Sequence, residues 1–263
     1  MPFWPLYDDY PRILIRHPWV TYAVIAACVF VFLIEVSGTG REYVEMVYGY
    51  GMIPIVLLGE GELPPDIYRI PALLTVFTSM FLHGDLMHLV GNMLYLWVFG
   101  DNIEDAMGHK RFAAFYLLGG IAAAAMHVLS DPGSQAPTIG ASGAISAVLG
   151  GYLVLHPRAK VLTPVIVVPL MLPAWVLLGI WFGFQFWMAG ADPGTGGGVA
   201  WWAHIGGFVA GAILVVPFRH KAIRLWGGHA PPTGVRMTDR DSWGRKRQRS
   251  KDSEDGSKGP WTR

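Results

Sequence analysis

The chain has 263 residues, of which 52% are hydrophobic and 15% charged, with 11 tryptophans. An ordinary soluble domain averages about 25% charged residues, so this composition excludes a typical water-soluble enzyme and favours a chain embedded in lipid. The formal net charge of +1 conceals an asymmetry: residues 219–263 hold 12 Lys and Arg against 5 Asp and Glu, whereas residues 1–218 hold 8 against 14.

From the N-terminus, apolar segments run over 18–36, 71–100, 112–129, 140–155, 162–189 and 199–218, each bounded by charge, Gly or Pro. An apolar run of about 20 residues spans a bilayer, so the pattern predicts an all-α integral membrane protein, a bundle of six transmembrane helices over 18–218. Residues 1–17 carry Arg12 and Arg16, and no small-residue cleavage pattern follows the first span, which reads as a retained helix. The single cysteine, Cys28, lies in that span as a small buried hydrophobe. Residues 37–69 form a predicted external loop, long enough for a partly ordered interfacial element. The second and fifth segments exceed one span and contain breakers (Pro71 and Gly84; Pro164, Pro169 and Pro173), so their helices are expected to be shorter than the apolar runs. Segment 140–155 is too short to cross a core about 30 Å thick, so the fourth helix is expected to start inside the membrane, covered by protein.

Lys and Arg near the span ends set orientation. Arg12 and Arg16, Lys110 and Arg111, Arg158 and Lys160, and Arg219, Lys221 and Arg224 alternate with acidic or Gly-rich loops, which places both termini in the cytoplasm. A bacterial or archaeal plasma membrane is the simplest home. The tail over 219–263 reads as basic and disordered, with anionic lipid headgroups rather than nucleic acid as its partner.

Polar residues inside the spans are costly and mark candidate sites. Ser142 lies about 21 Å above His156, His204 about 22 Å above Arg219, and His88 about 20 Å above Asp101, each Asp, Arg or His marking the end of its span. Three groups from three helices thus share one level, about 10 Å below the outer surface. Asn92 follows His88 by one helical turn on the same face. His83 lies nearer the external end and reads as a structural residue, as does His127.

A serine hydroxyl becomes a nucleophile when a neutral imidazole within hydrogen-bond reach takes its proton. No carboxylate shares the level, so the expectation is a dyad, with Ser142 as nucleophile and His204 as base. His88, Asn92 and the backbone N–H of Ser142 are candidate donors to an oxyanion. Ser142 sits between Gly140 and Gly143, which permit close backbone approach. Gly143, Ala147 and Gly151 repeat every four residues, and Gly207 and Gly211 follow His204 at the same spacing; such small residues let the fourth and sixth helices meet.

These residues resemble the rhomboid family of intramembrane serine proteases. The matching pieces are His83-Gly-Asp-Leu-Met-His88-Leu-Val-Gly-Asn92-Met, Glu104-Asp-Ala-Met-Gly108-His-Lys-Arg-Phe112, Gly140-Ala-Ser142-Gly-Ala144 and Ala203-His204-Ile-Gly-Gly-Phe-Val-Ala-Gly211, in the family's order over residues 70 to 218. The resemblance implies Ser142 as nucleophile, His204 as base, and His88 and Asn92 at the oxyanion. It also implies transmembrane proteins as substrates, cut in or next to a membrane-spanning helix. Glu104 and Gly108 would be structural positions in the loop leading to the third span. Where the family often carries a Trp-Arg pair ahead of His83, this chain has Leu74 and Thr75.

Lateral access near spans two and five is expected, with the fifth segment (Pro173, Trp175, Trp181, Trp187) as a mobile gate. Three competing readings have weaker support. A metalloprotease built on His83, His88 and His204 lacks a His-Glu-x-x-His helix, so no metal or other cofactor is expected. A transporter would want acidic core residues and paired inverted halves. A catalytically silent relative that binds transmembrane helices would be expected to lack Ser142 or His204.

Overall fold

A computed structural model describes residues 4–165, 168–191 and 198–227; of the tail over 219–263 expected to be disordered, the part from 228 onward lies outside them, whereas 219–227 is ordered, with the His220 and Trp226 N–H groups donating to the Ala106 and Val154 carbonyls. Helix α1 (Trp19–Ser37) follows Pro18, contains neither Gly nor Pro, and stops at Gly38. Thr39 caps α2 (Gly40–Tyr50) in a capping box: its hydroxyl accepts the Glu42 N–H, and the Glu42 carboxylate accepts the Thr39 N–H at 2.6 Å. With α3 (Pro54–Leu57), the segment 37–69 carries two short helices.

The second apolar segment is broken rather than straight. Helix α4 (Ala72–Thr78) and a 3-10 turn (Ser79–Phe81) lead into His83-Gly84-Asp85, and α5 (Leu86–Met107) departs at 83° to them. Asp85 caps α5 by accepting the His88 N–H at 2.8 Å. Helix α5 also runs past the expected end near Gly100, so Glu104 belongs to its last turn and not to a loop. Asp101, read as the end of the span, is six residues short of it.

The physical reason is that the carboxylates ending the apolar run are satisfied within the protein. Asp105 accepts the N–H groups of Ile13, Leu14 and Ile15 at 2.7–2.8 Å. The fully buried Glu104 carboxylate accepts the Val20 and Thr21 N–H groups at 3.0 and 2.8 Å and the Thr21 hydroxyl at 2.7 Å, with His109 Nδ1 at 2.5 Å. Glu104 therefore caps the first turn of α1 from another helix. Glu104→Ala orphans these donors and should cost about 3 kcal/mol, read as a lowered midpoint of denaturant unfolding in detergent. Glu104→Gln, which keeps one acceptor oxygen, should lose less.

Gly108, at φ +79°, is the single residue that separates α5 from α6 (His109–Ser130). The chain then runs back to Met52, with which Thr138 exchanges two backbone hydrogen bonds of 2.7 and 3.1 Å. Gly140 donates its N–H to the Ser79 carbonyl at 2.8 Å, and the 14-residue α7 (Ser142–Leu155) starts two residues later.

The fifth apolar segment corrects the all-helical expectation. Its first part forms a hairpin of β2 (Lys160–Val165) and β3 (Val168–Pro173), and only then does α8 (Ala174–Ala191) begin. The register sets Pro164 opposite Pro169, so two of the missing donors coincide at one rung, while Pro173 lies opposite Lys160 at the end of the hairpin. Strand β1 (Tyr7–Asp8) completes an antiparallel sheet in the order β1-β2-β3. Helix α9 (Trp201–Phe218) follows.

By length and composition α1, α6, α8 and α9 can each cross a membrane, and the bent α4–α5 pair supplies a fifth candidate. Large apolar side chains such as Phe30, Leu33 and Ile213 face outward, while small residues and buried polar groups face inward. This is a mostly helical, multi-pass membrane protein.

Strand β1 is held by Asp8, whose carboxylate accepts from Asn102 Nδ2 at 2.6 Å and from the Tyr152 hydroxyl. Burial is the main cause that pushes the Asp8 carboxyl up from 3.8 to about 7, against the pull of the Tyr152 hydrogen bond. The folded state therefore binds this proton more tightly than the unfolded chain, and the docking of β1 weakens as pH rises from about 4 through 7. The Leu6 and Asp9 amides, bonded to Leu162 and Lys160, should be better protected from hydrogen exchange at pH 5 than at pH 8 after intrinsic-rate correction. Asp8→Asn should flatten that dependence.

Candidate active site

Ser142 is the first residue of α7, and its backbone N–H belongs to the helix's unpaired first turn. Gly140 precedes it at φ +118°, a conformation that favours glycine. A Cβ there would sit 2.7 Å from His88 Nε2, so the missing side chain is what lets the His88 ring lie against this backbone. The Ser142 carbonyl accepts the Ser146 hydroxyl at 2.6 Å, which fixes the first turn of α7.

His204 stands in the first turn of α9, almost fully buried, and its Nε2 lies 2.8 Å from Ser142 Oγ. The close approach of α7 and α9 makes this possible. A Cβ on Gly207 would lie 2.1 Å from the Gly143 carbonyl oxygen, and one on Gly211 1.9 Å from that of Ala147. These are backbone contacts that no side chain could share. The next contact of this kind comes from Gly150 against the Phe208 carbonyl, while Gly151, the expected member of the repeat, faces Phe115 and Val215.

His88 and Asn92 occupy successive turns of α5 and flank Gly140, Asn92 Nδ2 lying 3.7 Å from the same constructed Cβ. His88 Nδ1 accepts the Gly84 N–H at 3.4 Å, which leaves its Nε2 to carry the ring proton. The Asn92 side chain has no exposed surface, and neither of its amide atoms has a hydrogen-bond partner among the described residues. Unpaired buried amides are rare. Both residues line a cavity of about 1030 Å³ together with Ser142, His204, His127 and Gln185.

His83 is fully buried. Its backbone N–H donates to both oxygens of the Glu35 carboxylate at 3.2 Å, and its ring packs on His88 with centroids 5.2 Å apart, an anchor for the break before α5. Of the tryptophans read as a gate, Trp181 is buried with its ring centroid 6.0 Å from that of His204, whereas Trp175 and Trp187 are exposed.

A carboxylate and an amide that lie within spans are not singled out by the sequence reading. Glu35, in α1, is one. The other is Gln185 in α8, whose Oε1 lies 2.8 Å from His204 Nδ1 and whose Nε2 donates to the Trp181 carbonyl at 3.1 Å. The available signal was the presence of a carboxylate and an amide in otherwise apolar runs.

The Rhomboid domain family model matches residues 71–221, from α4 through the Ser142–His204 pair to the end of α9. Similar curated proteins include Rhomboid protein 1, mitochondrial, of Saccharomyces cerevisiae, 31% identical over 147 residues covering 53% of this chain and 40% of its own length. Rhomboid protease GluP of Bacillus subtilis is 32% identical over 208 residues, 76% of this chain and 36% of its own. Presenilin-associated rhomboid-like protein A, mitochondrial, of Danio rerio is 37% identical over 98 residues, 35% and 26%. The matched regions thus span between 26% and 40% of these relatives' own lengths. Since the family match takes in more than half of the chain, this protein belongs to the rhomboid family.

Proposed function

We propose that the chain is an intramembrane serine endopeptidase that cuts transmembrane proteins in or next to a membrane-spanning helix. The observation that carries this reading is the 2.8 Å contact of His204 Nε2 with Ser142 Oγ at the wall of a cavity. In the first step Ser142 Oγ bonds to the scissile carbonyl carbon as its proton passes to His204 Nε2. The oxyanion then draws on Asn92 Nδ2, His88 Nε2–H and the Ser142 N–H, the two side chains lying beside Gly140 and all three residues lining the cavity. His204 gives its proton to the departing amine, and water, activated by the same imidazole, releases the acyl group from Ser142.

In this reading the protease domain is 18–218 with six spans, α7 being the short fourth that starts within the membrane. Residues 1–17 and the basic tail 219–263 are cytoplasmic and the 37–69 segment is external, a topology supported by the Lys and Arg distribution. Relatives carry mitochondrial as well as bacterial names, so the expectation of a bacterial or archaeal plasma membrane gains no support from them. Bilayer lipids and transmembrane substrates are the partners.

A substrate helix must unwind to present its carbonyl, because its backbone groups are already paired. Reconstituted with a single-span substrate bearing Gly or Pro near the outer boundary, the protein should cut once near that boundary. Replacing those breakers by leucine should slow cleavage about 10-fold. Failure to cleave any such substrate, or cuts only in water-exposed regions, would overturn the reading.

A further inference from the structure

Gln185 is buried within an apolar helix, where an amide is retained only at a cost. Its Nε2 donates to the Trp181 carbonyl, a group that can only accept, and this fixes which end of the amide is which. The other end, Oε1, can only accept, and it faces His204 Nδ1 at 2.8 Å. Nδ1 must therefore carry the ring proton, and the lone pair of His204 then lies on Nε2, the nitrogen facing Ser142 Oγ.

We infer that Gln185 is the positioning residue of the catalytic base, selecting the tautomer and ring orientation of His204 through a neutral amide. The inference rests on the Ser142–His204 reading above. When Nε2 takes the serine proton, the Nδ1–H···Oε1 bond persists and is strengthened by the charge on the ring. Four helices then build the site: α7 brings the nucleophile, α9 the base, α8 the group that aims it and α5 the oxyanion donors His88 and Asn92. Gln185 meets His204 at Nδ1, on the far side of the ring from the Ser142 hydroxyl, so it is placed to act through the imidazole.

The test compares Gln185→Met, close in length but without the acceptor, with Gln185→Glu, which restores it. Gln185→Met should lower kcat on a transmembrane substrate at least about 10-fold with KM within about twofold. Its labelling by a fluorophosphonate should slow in the same proportion. Gln185→Glu should recover most of that loss, and 15N spectra of labelled histidine should show His204 as the Nδ1–H tautomer in the parent and a mixture in Gln185→Met. Unchanged kcat in Gln185→Met would overturn the inference, as would a loss that Gln185→Glu does not recover while the His204 tautomer stays the same. Ser142→Ala, run alongside, separates the two claims. Cleavage surviving in Ser142→Ala removes the nucleophile reading itself, whereas an inactive Ser142→Ala beside a fully active Gln185→Met removes only the role of Gln185.

Discussion

Ser142→Ala is expected to reduce cleavage of a reconstituted transmembrane substrate by about 10⁴- to 10⁶-fold, to the level of uncatalysed hydrolysis aided only by binding. The substitution takes away one hydroxyl, whose contact is His204 Nε2, and leaves the backbone carbonyl that accepts from Ser146 in place. Unfolding in detergent should therefore be unchanged within about 0.5 kcal/mol. His204→Ala should be similarly inactive, and the double variant no worse than either single one, because the two residues act as a unit. Turnover measured on matched amounts of folded protein checks both statements; a Ser142→Ala variant with more than a few per cent of parental activity contradicts them.

The second large effect is expected at two glycines that carry no chemistry of their own. Gly211→Ala puts a methyl 1.9 Å from the Ala147 carbonyl oxygen, and Gly207→Ala one 2.1 Å from that of Gly143. Neither oxygen can move without its helix, so α7 and α9 must separate by more than about 1 Å. A displacement of that size between a nucleophile and its base costs about 100-fold in rate, and lost packing should also reduce the folded yield. Gly183→Ala in α8 is the control: nothing lies within 4 Å of its added Cβ, and it should retain activity while gaining about 0.5–1 kcal/mol of helix stability. Equal behaviour of the Gly211 and Gly183 variants in a thermal-stability and turnover series would show that the α7–α9 contact does not set the geometry.

Ser142 and His204 are legible in the sequence because a hydroxyl and an imidazole inside apolar helices have few uses, and counting residues inward puts them at one level. The counting was more fortunate for His88. Its helix continues past Asp101 to Met107, since charges that end a hydropathy run do not end a helix when buried N–H groups wait for them. The same charges make Glu104 read as part of a loop, although it lies in the last turn of α5. The break in the second apolar segment is signalled by Pro71 and Gly84, but the Glu35 carboxylate that accepts the His83 N–H beside it lies 48 positions away in sequence.

The β2–β3 hairpin was hidden because a run of Val, Leu, Ile and Pro is apolar whichever structure it adopts, and periodicity alone does not separate a buried strand from a helix. Pro164, Pro169 and Pro173 correctly shortened the helix without showing what replaced it. Gln185 is not legible in the sequence because a neutral amide has no nucleophilic or basic signature of its own; its place beside His204 is a property of how α8 packs on α9, which no local pattern encodes.

The most direct test of the account is to treat the detergent-solubilised protein with a serine-directed fluorophosphonate and locate the adduct by mass spectrometry. A single adduct on Ser142, absent after heat unfolding and absent in His204→Ala, is the predicted result. An adduct on another residue, or labelling of Ser142 that proceeds at full rate without His204, would contradict it.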